Sequence, residues 1–219
     1  KPVKVSSDTT CFFGLPEIMN TNNNGNIVNS CYIDTGKSYI VVDTGVSYNY
    51  AKSAYESIQK QKQQNIAFVV NTHVHDDHWL GNNFFSKKGI TIIGTDDFLS
   101  NGDKNEPTRM QKAISKEAYL GTIPTFPTKI INNDLVLNVD GKVIELKIMK
   151  QKAHTAKDMI VFIPDSKTLI AADLVFNDRL PSVRGGDVNG WLKAIEDLEK
   201  LSASHIIGGH GYKTDSDAM

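Results

Sequence analysis

Apolar positions along the 219-residue chain gather in short runs rich in isoleucine and valine, and these alternate with stretches of helical periodicity. The runs predict strands over residues 39–42, 66–70, 90–93, 144–149, 159–163, 168–171 and 205–207, because β-branched side chains pack well on a pleated surface. Helical spacing predicts helices over 47–60, 107–119 and 191–201. In the last, Trp191, Ile195, Leu198 and Leu201 share one face, with Lys193, Glu196 and Lys200 largely opposite. Pro107 suits a first helical turn, where its missing N–H leaves no bond unmade. Asp140-Gly141 and Pro164-Asp165-Ser166 signal turns between strands. With no internal repeat or linker in view, 1–219 reads as one α/β domain with many sheet strands.

Composition narrows the function classes. The 24 Lys+Arg nearly balance 25 Asp+Glu for a formal charge of −1, which argues against a dedicated nucleic-acid binder. Charged residues at 22% and apolar ones at 40% match an ordinary soluble globular protein. No apolar run approaches the roughly 18–20 residues of a membrane span. Cys11 and Cys31 flank an Asn/Gly-rich turn at 21–26, too far apart for a C-x-x-C pair. Two strands flanking that turn would let them form a disulfide. Two unrelated buried thiols are marginally the preferred reading, since free Cys is among the most buried residue types.

Candidate ligands follow the predicted strands, the place where α/β folds put chemistry. Asn71-Thr72-His73-Val74-His75-Asp76-Asp77-His78 holds three of the six histidines and two aspartates. Imidazole nitrogen and carboxylate oxygen are the donors that zinc and similar first-row metals accept. His73 and His75, two apart, point to one side of an extended backbone, and Asp77 and His78 fall across a turn on a second set. One ion rarely needs so many donors from one short loop; two ions roughly 3.5–4 Å apart would use them all. His154 precedes the strand at 159–163. Asp173 follows the strand at 168–171, where an unpaired buried carboxylate would be costly. His210 lies between glycines that permit a tight turn. His205 opens an apolar strand and reads as structural or solvent-facing.

This set resembles the metallo-β-lactamase superfamily. The matching elements are H-x-H-x-D-H at 73–78, His154-Thr155, the strand-ending Asp173, Gly209-His210-Gly211 and the early Val41-Val42-Asp43-Thr44-Gly45. The resemblance implies an αβ/βα four-layer sandwich of two mixed β-sheets flanked by helices, with a dinuclear metal site at one edge. It assigns His73, His75 and His154 to a first divalent ion and Asp77, His78 and His210 to a second. Asp173 would bridge the two, and Asp43 would support the ligand loop. Zn²⁺ is the favoured metal, with iron or manganese as alternatives. Ala153, Ala172 and Gly209 depart from the neighbours usual in the family, but no ligand is changed.

The implied activity is hydrolysis of an ester, thioester, lactone or amide of a small molecule by a hydroxide shared between the ions, with Asp77 as catalytic residue orienting it and passing a proton. The alternatives are β-lactamase activity, a mononuclear-iron persulfide dioxygenase, and a non-catalytic metal-binding module. Asp173 stands where the best-known zinc β-lactamases carry Cys. For substrate contacts the candidates are Trp79, Arg179 and Arg184, each with an ordinary alternative: core packing for Trp79, solvated surface charge for the arginines. The segment 14–30, with Ile18 and Met19, reads equally as a flap over the metals or as an ordinary hairpin. The Asn-rich flap, Asp173, Leu180-Pro181 and the helix start near Trp191 are most similar to exported metallohydrolases linked to quinoprotein and sulfur-oxidation systems. A periplasmic or exported location is therefore favoured over a cytoplasmic one, in keeping with a chain that opens on Lys1 rather than Met.

Overall fold

The computed structural model describes residues 1–215 and Ala218. A first sheet orders its strands as β1 (Val3–Lys4), β2 (Thr9–Phe12), β3 (Ser30–Asp34), β4 (Ser38–Val42), β5 (Asn65–Val70), β6 (Ile92–Thr95) and β7 (Lys129–Ile131). Neighbours are antiparallel from β1 to β4 and parallel from β4 to β7. The second sheet contains β8 (Leu135–Val139), β9 (Lys142–Ile148), β10 (Met159–Ile163), β11 (Thr168–Phe176) and β12 (His205–His210) in the order β12-β11-β10-β9-β8. There β11 pairs with β12 in parallel, and the other neighbours are antiparallel.

Alternation along the strands builds the layers. In β4, Ile40 and Val42 join Ile33, Val70, Ile144, Leu146, Val161 and Ile207 in a core between the two sheets. Tyr39 and Val41 face the other way, into a cluster with Ala51, Ala54 and Ile58 of α1 (Tyr48–Gln61). On β10 the same split sends Val161 and Ile163 inward and Ile160 and Phe162 outward. The outward pair packs with Trp191, Ala194 and Leu198 of α7 (Val188–Glu199). Strands buried on both faces read as continuous apolar runs, which is why they stood out in the sequence. Helix, sheet, sheet and helix stack as the expected αβ/βα sandwich.

Caps set the helix limits. The Ser47 hydroxyl accepts from Tyr50 N at 3.1 Å and starts α1, and Asp187 accepts from Gly190 N at 2.6 Å to start α7 three residues before the predicted boundary. Five short helices lie between them: α2 (Asp76–Trp79), α3 (Asn82–Ser86), α4 (Asp97–Ser100), α5 (Arg109–Ala113) and α6 (Lys116–Tyr119). The helix predicted over 107–119 is thus two. Ile114 is extended, with ψ 170°, and the Ser115 hydroxyl caps a fresh helix through Ala118 N. Pro107 lies outside both, ahead of the Thr108 N-cap.

The cysteine preference is corrected. Cys11 on β2 and Cys31 on β3 are register partners, 4.1 Å apart at Cα, and they form a disulfide. Antiparallel pairing brings directly opposed side chains within bonding reach, and the segment 13–29 is long enough to close the hairpin.

Candidate metal centre

Three strand ends and one strand interior converge on the site. β4 and β5 run parallel, with Val42 opposite Val70, so Asp43 and the loop 71–78 emerge side by side. In the second sheet β11 carries Asp173 past a register shift, and its parallel neighbour β12 ends on His210. Ala172 adopts φ +47° at that irregularity, which turns Asp173 toward the ligand loop. His154 lies in the connection between β9 and β10.

The side chains assemble into two donor sets, His73 with His75, His154 and Asp173, and Asp77 with His78 and His210. In the first, His75 Nδ1 lies 3.2 Å from His73 Nε2 and 2.9 Å from His154 Nε2, and Asp173 Oδ2 lies 3.2 Å from His154 Nε2. In the second, His210 Nε2 is 3.8 Å from Asp77 Oδ2, and His78 Nε2 is 4.0 Å from the same oxygen. Asp173 reaches this set too, through Oδ1 at 3.1 Å from His78 Nε2 and Oδ2 at 3.4 Å from His210 Nε2. All seven side chains except His75 are buried.

These distances fit a metal. Four ligands on a tetrahedron with Zn–N of about 2.05 Å are roughly 3.3 Å apart, close to the spacings in the first set. Two of the converging atoms, His78 Nε2 and Asp173 Oδ1, are buried without any hydrogen bond of acceptable geometry. A buried donor set left unpaired in this way is costly unless a cation completes it.

Neighbours hold the imidazoles in the ligating tautomer. Asp43 accepts from Thr72 N at 2.9 Å and from the Thr72 hydroxyl at 2.8 Å, and it lies 2.7 Å from His78 Nδ1. A carboxylate only accepts, so His78 Nδ1 bears a proton, and Nε2 is the nitrogen turned toward the donor sets. The Ile27 carbonyl does the same for His210 Nδ1 at 2.6 Å. Burial and the adjacent His154 push His75 down to about 4, and burial with His78 holds His73 well below its ordinary value, so both are neutral at pH 7, the form a metal requires. Burial also opposes the charged form of His78, but Asp173 and Asp43 outweigh it and raise that imidazole.

Arg109 was not singled out by the sequence. Its Nε donates to Asp76 Oδ1 at 2.8 Å, and its Nη2 hydrogen-bonds Asp77. Burial alone would raise Asp77, yet Arg109, His78 and His210 together hold it well below the usual carboxylate range. The only sequence signal for Arg109 was a cation in an otherwise unremarkable helix, remote in the chain from its partners.

A cleft of about 270 Å³ opens over the two sets. His75, Asp77, His154, Asp173 and His210 form its floor, Ile18, Met19 and Ile27 one wall, and Phe176, Arg109, Arg179 and Arg184 the rest. The segment 14–29 is therefore a flap over the site and not a plain hairpin. Arg179 donates to the Glu17 carbonyl of that flap at 3.3 Å, and Arg184 has no partner among the described residues. Trp79 is displaced from its candidate role. It is fully buried against Phe98 and Phe126 and donates to the Val74 carbonyl, so it contacts no cleft. His205 stands at the far end of β12, outside both donor sets.

The fold agrees with the comparisons to known proteins. The family model for the metallo-beta-lactamase superfamily matches residues 23–210, and the chain belongs to that superfamily. It is 24% identical over 196 residues to a type 2 metallo-beta-lactamase of Bacillus sp. (strain 170), covering 87% of this chain and 69% of that one. To the beta-lactamase-like protein 2 homolog of Caenorhabditis elegans it is 23% identical over 189 residues, 84% of this chain but 55% of the relative. The solved metallo-beta-lactamase of Pontibacter korlensis superposes with a TM-score of 0.76 at 19% identity, covering 100% of this chain and 94% of that one.

Proposed function

We propose that the protein is a dinuclear metal-dependent hydrolase, most consistent with Zn²⁺, that cleaves a carbonyl-type bond of a small molecule: an ester, thioester, lactone or amide. The observation that carries this reading is Asp173, whose two oxygens lie within 3.4 Å of donors from both sets. His73, His75 and His154 would hold one ion and Asp77, His78 and His210 the other, with Asp173 common to both. Ions held there supply Lewis acidity and an activated water, the chemistry that attack on a carbonyl needs at neutral pH.

The remaining roles belong to the chain's own residues. Arg109 keeps Asp77 ionised, which suits a carboxylate that orients a nucleophile or holds a cation. A group held so far down is a poor proton donor at neutral pH, so the proton-passing role weighs less than the orienting one. Arg184, unpaired at the cleft, and Arg179 offer guanidinium donors to an anionic group of the substrate. Ile18, Met19 and Phe176 provide apolar walls that exclude water from the reacting bond. The apolar core shared by both sheets supports residues 1–219 acting as one domain. The Cys11–Cys31 bridge supports an oxidising, exported location.

The test is hydrolysis before and after metal removal, against a panel of lactones, thioesters and a chromogenic cephalosporin. Turnover that disappears on chelation and returns with Zn²⁺ supports the reading, and the substrate that responds names the class. Hydrolysis that survives stripping sinks it, as does a restored protein that consumes oxygen with a persulfide and needs iron.

A further inference from the structure

The buried amide of Asn29, at the root of the flap, makes four contacts that no expectation from the ligand motif includes. Its Nδ2 donates to the Gly208 carbonyl at 2.9 Å and to the Gly211 carbonyl at 2.8 Å. Its backbone N–H donates to the Gly209 carbonyl at 2.8 Å. Its Oδ1 accepts from Gly14 N at 3.0 Å, across the mouth of the flap. One side chain thus ties both ends of the segment 14–29 to the turn that carries His210.

The segment that carries His210 ends β12, where Gly208 and His210 pair with Ala172 and Phe176 of β11 and the His210 carbonyl accepts from Asn177 N at 3.2 Å, but it has almost no side chains of its own to pack. His210 is bracketed by Gly208, Gly209 and Gly211, and none of the three could carry a side chain. A Cβ at Gly209 would lie 1.8 Å from Asp173 Oδ1, and one at Gly211 would lie 2.0 Å from the Asn177 carbonyl at φ +91°. Glycines allow the close approach but bring wide backbone freedom and no packing of their own. On the side away from β11, Asn29 adds a restraint by holding three carbonyls around His210, while the next-but-one carbonyl toward the flap, Ile27, holds the imidazole itself. The ligands of the other donor set are held otherwise. Thr72 lies 3.1 Å from His73 Nδ1, and no hydrogen bond links His73, His75 or His154 to residues 14–29 among those described.

We infer that Asn29 is a positioning residue for the second metal alone, setting His210 and thereby the affinity of the Asp77–His78–His210 set without governing the first. This rests on the two-ion reading above. Partners that orient a ligand typically account for about 10- to 100-fold in metal affinity. Because the same residue closes the flap mouth, the flap and the second ion depend on one anchor.

The test is competitive Zn²⁺ titration of chelator-stripped protein, comparing wild type with Asn29→Ala and Asn29→Asp. Asp keeps the acceptor for Gly14 N–H and the side-chain volume but cannot donate to Gly208 and Gly211, so it remains informative should the Ala variant fail to fold. The expected result is two equivalents for wild type. Both variants should keep the tighter first equivalent and lose about 10- to 100-fold in the second. Asn20→Ala, which disturbs only bonds within the flap tip, should leave both affinities unchanged. Unaltered second-site affinity in Asn29→Asp overturns the inference while leaving the two-ion reading intact. Equal weakening of both sites makes Asn29 merely structural and also overturns it. A wild type that takes fewer than two ions overturns the inference and the two-ion reading together.

Discussion

Asp43 sits at φ +57° directly after a buried strand, a conformation that costs an L-residue free energy and is retained when its surroundings demand it. The demand is visible: three contacts with the ligand loop, one of which fixes the His78 tautomer. Asp43→Asn puts an NH₂ where one carboxylate oxygen accepted, so either Thr72 N–H, or His78 Nδ1–H together with the Thr72 hydroxyl, loses its acceptor. Zn²⁺ affinity should fall by about 10- to 100-fold, read by chelator competition, with the fold retained by circular dichroism. Arg109 lends itself to a pH experiment. Its charge helps hold Asp77 far below its unfolded value, so the ionised carboxylate stabilises the folded chain above the unfolded pKa and is lost only as pH falls through the depressed folded one. Removing the cation in Arg109→Ala raises the folded pKa, so the acid limb of metal binding should move to higher pH. An unmoved limb would mean that Arg109 does not set the Asp77 charge.

At the scale of elements, legibility followed periodicity. Strands β4, β5, β10 and β11, apolar on both faces, β9, apolar on one, and helices α1 and α7, each buried along one stripe, were readable because their patterns carry the core. The edge strands β1, β7 and β8 were not, since their exposed positions dilute the apolar signal, as Val136 at 63% exposure on β8 shows. The break at Ile114–Ser115 was hidden because capping by a serine competes with an unbroken helical pattern, and propensity does not decide between them. The donor sets were legible because His and Asp are few residue types, and four of the seven candidates crowd one short loop. Arg109, Asn29 and the carbonyl of Ile27 were not, because each acts across the fold on a partner remote in sequence. The disulfide belongs to this scale also. It closes a loop of about 20 residues between β2 and β3, for which chain-entropy reasoning gives about 3 kcal/mol. The double variant Cys11→Ala/Cys31→Ala should lose stability of that order in denaturant unfolding, and a loss below about 0.5 kcal/mol would contradict a structural role.

For the whole molecule, the centre is where both sheets contribute to one object. The first sheet delivers the loop 71–78 and Asp43, and the second delivers His154, Asp173 and His210, so ions held between them bind the folded state and not the unfolded chain. At free metal about 1,000 times the dissociation constant this linkage is worth about 4 kcal/mol. In a chain of this size that corresponds to roughly 8–16 °C in melting temperature. Stripping the metal should lower Tm by that amount and restoring it should recover the loss. A Tm indifferent to chelation would show that the donor sets hold nothing the fold depends on.

The proposed joining of two metal sites by Asp173 is tested most directly by Zn²⁺ stoichiometry, measured by inductively coupled plasma mass spectrometry on stripped and reloaded protein, wild type beside Asp173→Ala. Two ions per chain are expected in the wild type and at most one in the variant. One ion in the wild type, or two retained without the Asp173 carboxylate, would contradict it.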